Sequence, residues 1–144
     1  MLKALIVYAT RRDETRKIAE LIAEGLRFSA LTVTLADARD IKKVSDLAGY
    51  DAYIFGAPTY HGEMINSMKT FLFLAEKAEL AGRAGGAFGA FGWRGEAPER
   101  IYETMTNIFK MDMADGPLML KSAKLDGGIK MAQDYGREIA AKIA

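Results

Sequence analysis

Three short segments of this 144-residue chain gather the side chains best suited to hold a charged, ring-bearing ligand. The first, Thr10-Arg11-Arg12-Asp13-Glu14-Thr15, follows the apolar run Ala4 to Ala9 and precedes an amphipathic stretch. A buried strand that empties into a hydroxyl-bearing loop at a helix start builds an anion site. The free N–H groups and the positive helix end face the same hollow. Thr10 and Thr15 add hydroxyls that suit a phosphate monoester. The G-x-x-x-x-G-K-[ST] and G-x-G-x-x-G patterns do not occur, so neither of those nucleotide cradles is expected. The second segment, Pro58-Thr59-Tyr60-His61-Gly62, and the third, Phe91-Gly92-Trp93-Arg94-Gly95-Glu96, each set a large polar-tipped aromatic beside glycine. Glycine lets backbone approach a ligand closely, and one aromatic from each side can sandwich a flat ring. One phosphate beside one flat ring points to a mononucleotide. On the residues alone a plainer reading stays open, with Thr10 and Thr15 as a helix cap, Tyr60 and Trp93 as packing aromatics, and His61, the single histidine, as a solvated loop residue.

The elements that must position these segments follow from periodicity. Ile18, Leu21, Ile22 and Leu26 recur at helical spacing after the first strand, with Arg16, Lys17, Glu20 and Glu24 on the other side. Leu31 to Leu35 alternates as a second strand. A polar exit from Asp37 to Ser45 is expected to hold a short helical turn. The third strand is Tyr50 to Gly56, followed by the loop Ala57 to Gly62 and a helix from about Ile65 to Leu80. Its inward side is expected to be Ile65, Met68, Phe71, Leu72 and Ala75, with Met64 and Met68 as core filling or as the rim of the site. Gly82 to Gly86 breaks that helix, and Ala87 to Phe91 makes a fourth strand. Pro98 suits the first turn of the next helix, whose apolar side would be Ile101, Met105 and Ile108. A fifth strand is expected at Pro117 to Lys121. The last helix should start near Asp126 or Gly128 and pass through Ile129, Ala132, Ile139 and Ile143. Strand followed by helix five times predicts one α/β domain over residues 1–144, a parallel sheet with helices on both faces. Right-handed crossovers bring all three segments to the carboxyl edge of the sheet, where such folds bind ligands.

Composition narrows the function. Twenty basic and 19 acidic residues give a net charge of +1, which argues against binding nucleic acid or a membrane surface through charge. The absence of cysteine removes disulfides, thiolate metal ligands and cysteine nucleophiles, so no metal site is expected, and it fits a reducing cytoplasm. No run approaches the roughly 18 apolar residues that span a bilayer, and Met1 to Ala9 has no signal-peptide layout.

The wording of two segments, Gly56-Ala57-Pro58-Thr59-Tyr60-His61-Gly62-Glu63-Met64 and Phe91-Gly92-Trp93-Arg94-Gly95-Glu96-Ala97-Pro98, resembles the flavodoxin family. It is closest to the flavodoxin-like FMN domain of the A-type flavoproteins, the flavodiiron proteins, here without a diiron module. The resemblance implies a three-layer sandwich with a five-stranded parallel sheet in the order 2-1-3-4-5. It also implies FMN as cofactor, its phosphate on Thr10 through Thr15 and its ring between Pro58 to Gly62 and Phe91 to Glu96. No catalytic acid, base or nucleophile is then expected. The implied role is low-potential electron transfer between redox partner proteins, by a monomer or weak homodimer. An FMN-dependent reductase or oxidase fed by a nicotinamide or deazaflavin donor is the enzyme alternative, and a flavin-free interaction module the third. The phosphate segment departs from the family's usual Ser/Thr-x-Thr-Gly-Asn-Thr and keeps only the outer threonines. Glu14 there sets a carboxylate near the expected phosphate, and Arg11 or Arg12 can offset it through charge-assisted hydrogen bonds.

Overall fold

The computed structural model describes residues 2–60, 63–90, 96–121 and 127–143, with Tyr60 and Glu63 described by their backbone alone. In its sheet β1 (Lys3–Tyr8) is flanked in parallel by β2 (Thr32–Asp37) and by β3 (Ala52–Gly56), which holds the central position. β6 (Ala84–Ala90) extends the sheet beyond β3. The fifth position is shared by two short strands, β7 (Asp112–Met113) and β8 (Leu118–Leu120), both parallel to β6. The order is therefore β2-β1-β3-β6 with β7 and β8 at the far edge, the doubly wound arrangement expected from the resemblance.

Alternation along β1 explains the layers. Ala4 and Ile6 point to one face, where α1 (Glu14–Phe28) and α4 (Gly128–Ala141) cover them with Ile18, Ile22, Leu26, Tyr135 and Ile139. Leu5 and Val7 point to the other, beneath Met68, Phe71, Ile101 and Met105 of α2 (Asn66–Ala75) and α3 (Glu96–Asn107). β1 and β3 are buried on both faces and read as continuous apolar runs. β2 lies at the sheet edge and keeps the polar alternation of Thr32 and Thr34. Among the described residues no helix is long and apolar enough to cross a membrane.

The structure corrects several boundaries. Gly85 and Gly86 are strand residues, because β6 begins at Ala84 and not at Ala87. A Cβ on Gly86 would lie 2.6 Å from the Ile139 Cδ1, so glycine is what lets α4 reach the sheet there. The expected loop from Ala57 to Gly62 contains half of a small antiparallel hairpin, β4 (Thr59–Tyr60) and β5 (Glu63–Met64). Helix α2 closes at Ala75 and tightens into a 3-10 turn over Glu76–Ala78. Two 3-10 turns, Ala38–Asp40 and Val44–Leu47, fill the polar exit from β2. Ile108 and Ile129, assigned inward by spacing, are 57% and 51% exposed. Ile108 falls just past the end of α3, and Ile129 sits in the first turn of α4, outside the stripe set by Ala132, Tyr135 and Ile139.

The split fifth strand leaves backbone groups without ladder partners, and two tyrosines supply them. Tyr102 of α3 donates its hydroxyl to Ala114 O at 2.6 Å and accepts from Gly116 N at 3.1 Å. Tyr135 of α4, from the opposite layer, donates to Gly116 O at 2.8 Å and accepts from Ala87 N at 3.1 Å. Burial raises the Tyr135 phenol well above the ordinary tyrosine range.

Candidate functional site

β1, β3 and β6 are adjacent in the sheet, so the segments leaving their carboxyl ends are neighbours in space. Ala9 N donates to Gly56 O at 2.9 Å and holds the β1 exit against β3 for one residue past the strand. Thr10 follows, then Arg11, Arg12 and Asp13, all exposed. Asp13 adopts a left-handed conformation, φ 65°, at the cap position of α1, and its side chain makes no capping bond. The turn is costly for a non-glycine residue. It is also what swings the chain into the helix.

Thr15, the second residue of α1, is 1% exposed. Its hydroxyl and that of Thr10 are buried and, among the described residues, have no hydrogen-bond partner. A buried hydroxyl without a partner costs roughly 1–3 kcal/mol in proteins. One of the two precedes the start of α1 and the other lies in its first turn. Neither threonine occupies the cap position, so the plain capping reading fails on geometry. Glu14, partly buried, opens the helix, and Arg16 pairs with Asp13 at 3.6 Å and Glu20 at 3.9 Å on the outer side.

The second segment is packed on the third strand of the site. Ala57 N donates to Phe88 O at 3.1 Å. A Cβ on Gly89 would lie 2.1 Å from Ala57 O, so only glycine permits this approach. Pro58 is buried and Thr59 partly so. The Thr59 hydroxyl accepts from Ala97 N at 2.9 Å in the first turn of α3. Thr59 thus ties the second segment to the helix that begins at Glu96, where the third segment ends. The third segment starts just after Ala90, the last residue of β6. His61, Gly62, Phe91, Gly92, Trp93, Arg94 and Gly95 lie outside the described residues. Met64 and Met68 are buried with the α2–α3 layer.

Two residues at this edge of the sheet were not singled out from sequence. Gly89 sits in a strand run that already read as small residues and carries no separate signal. Tyr8 ends β1 in register with Asp37 and Gly56, and its phenol is held above the ordinary tyrosine value by burial, with the Asp37 carboxylate adding to it.

Comparison with known proteins agrees with this architecture. A family model described as a flavodoxin domain matches residues 5–121. Over 82 residues the chain is 35% identical to a flavodoxin from Maridesulfovibrio salexigens, covering 56% of each protein. It spans about half the length of the curated relatives it matches. Among solved structures, a flavodoxin from the domain Archaea superposes with a TM-score of 0.92 at 29% identity, covering 99% of both chains. Rubredoxin oxygen:oxidoreductase from Desulfovibrio gigas superposes with a TM-score of 0.85 at 28% identity, covering 99% of this chain and 37% of that one. A doubly wound sheet of this order, a family model spanning most of the chain and end-to-end structural overlap lead to one conclusion: the chain belongs to the flavodoxin family.

Proposed function

We propose that this chain binds FMN at the carboxyl edge of β1, β3 and β6 and passes low-potential electrons between redox partner proteins in the cytoplasm. The observation that carries the reading is the pair of buried, unpartnered hydroxyls on Thr10 and Thr15 at the N-terminus of α1. A phosphate monoester accepts from both hydroxyls and from the helix N–H groups, so the residues present fit that end of the cofactor. Thr59, through Ala97, holds the second and third segments together, and Tyr60 and Trp93 are the aromatics assigned to the ring.

FMN, once bound, supplies the redox chemistry. The residues of the chain hold the phosphate, exclude water from the ring and set the local field. Arg11 and Arg12, exposed within the phosphate segment, place positive charge where an acidic partner could dock. The test is anaerobic. FMN-loaded protein should be reduced and reoxidised quickly by one-electron partners, and only slowly by NADH or NADPH alone. Rapid bleaching by a nicotinamide with no partner protein assigns the chain to the reductases instead.

A further inference from the structure

The link from β2 to β3 is built differently from its neighbours in the same layer. It forms two 3-10 turns, Ala38–Asp40 and Val44–Leu47, whereas α2 and α3 follow β3 and β6. Short turns lack the bulk of a helix, and the flank of α2 beside the first of them stays open. A cavity of about 360 Å³ lies there, in the size range of small-ligand pockets. Its floor is apolar, made by Ile41, Phe71 and Leu74, with Phe71 only 2% exposed. Spacings of three and four residues put Ser67, Thr70, Phe71 and Leu74 on one face of α2. None of the lining residues belongs to the three segments of the cofactor hollow.

The rim says what fits. Arg39 and Lys42 line it, and among the described residues no acidic one does. Arg39 is already engaged, donating to both Asp37 carboxylate oxygens at 3.1 and 2.9 Å. Asp46, just outside, accepts from the backbone N–H groups of Lys42 and Lys43. The exposed Lys42 ammonium makes no ion pair or hydrogen bond with the described residues, and the Ser67 and Thr70 hydroxyls make none either. One unpartnered cation and two hydroxyl donors above an apolar floor complement a monoanion with two acceptor oxygens. We propose that this cavity binds a small organic acid, its carboxylate at Lys42, Ser67 and Thr70 and its apolar body over Phe71 and Leu74.

Octanoate, octanol and octylammonium share one chain and differ in charge, so they serve as probes. Amide chemical shifts of the full chain, titrated with each, locate and rank the binding. Octanoate should move residues 38–42 and 67–74 with a dissociation constant on the order of 1 mM. It should bind about threefold or more tightly than octanol, with octylammonium weakest. Lys42→Gln should erase the preference for octanoate over octanol while leaving octanol affinity and the unfolding midpoint unchanged, since the side chain is exposed. The titrations should read the same with and without FMN, so loss of the cofactor reading would leave this result standing. Shifts absent from residues 38–42, equal affinity for octanoate and octanol, a preference that survives Lys42→Gln, or displacement of octanoate by FMN would each overturn the proposal.

Discussion

Thr59 Oγ1 accepts a hydrogen bond from Ala97 N at 2.9 Å, across 38 residues of sequence. The contact caps α3 from a different segment and fixes the spacing between the two loops assigned to the flavin ring. Thr59→Val keeps the shape and removes the acceptor. It should cost about 1 kcal/mol of stability and lower FMN affinity, with Thr59→Ser restoring both. Denaturant unfolding and flavin titration of the three proteins check this.

Glu14 opens α1 in the same turn as Thr15. Its carboxylate opposes a phosphate held there, while the helix end favours it when the phosphate is absent. Glu14→Gln should tighten FMN by roughly threefold to tenfold at low salt, a screened charge pair at partial exposure. The gap should narrow as salt is added. Affinities measured at two ionic strengths give both comparisons.

Tyr135 bonds Gly116 O and Ala87 N across the gap in the fifth strand. Tyr135→Phe leaves a buried N–H and C=O without that partner and should cost about 1–3 kcal/mol. Its raised phenol also sets a pH dependence. A proton held more tightly in the folded state gives stability that is complete below the unfolded tyrosine value near 10 and is lost as pH rises above it. Tyr8 and Tyr53, both raised chiefly by burial, act in the same direction. Melting temperatures from pH 8 to pH 11 should fall at the alkaline end, and less steeply in Tyr135→Phe.

Gly89 meets Ala57 O at a separation no Cβ tolerates. Gly89→Ala must push the second segment off β6, with a stability loss of about 3 kcal/mol or more. The FMN-induced rise in melting temperature should shrink along with it.

How much of this was legible in the sequence depends on range. The strand cores and α1 follow from local alternation and helical spacing, because Ala4 to Tyr8 and Ile18 to Leu26 bury what their own periodicity marks. The double glycine at 85–86 misled because glycine usually punctuates a chain, whereas here it answers Ile139 from a distant helix. The Asp112–Met113 strand was missed because two residues carry no periodicity and pair only through register with β6. At the site, the hydroxyls of Thr10 and Thr15 could be picked out by type. That neither caps α1 depends on the left-handed turn at Asp13, which an aspartate does not announce. Thr59 was chosen as a cofactor contact by its type and place, whereas the bond its hydroxyl accepts from Ala97 N spans 38 residues and has no local signal.

FMN titration of the chain beside its Thr10→Val/Thr15→Val variant bears on the phosphate site without intermediaries. The chain should take up one FMN, and the variant should bind about tenfold or more weakly. The flavin-free variant should melt no lower than its parent, because two unpartnered buried hydroxyls have been replaced by methyl groups. Equal FMN affinity in the two proteins, or no uptake by the parent chain, would contradict the assignment.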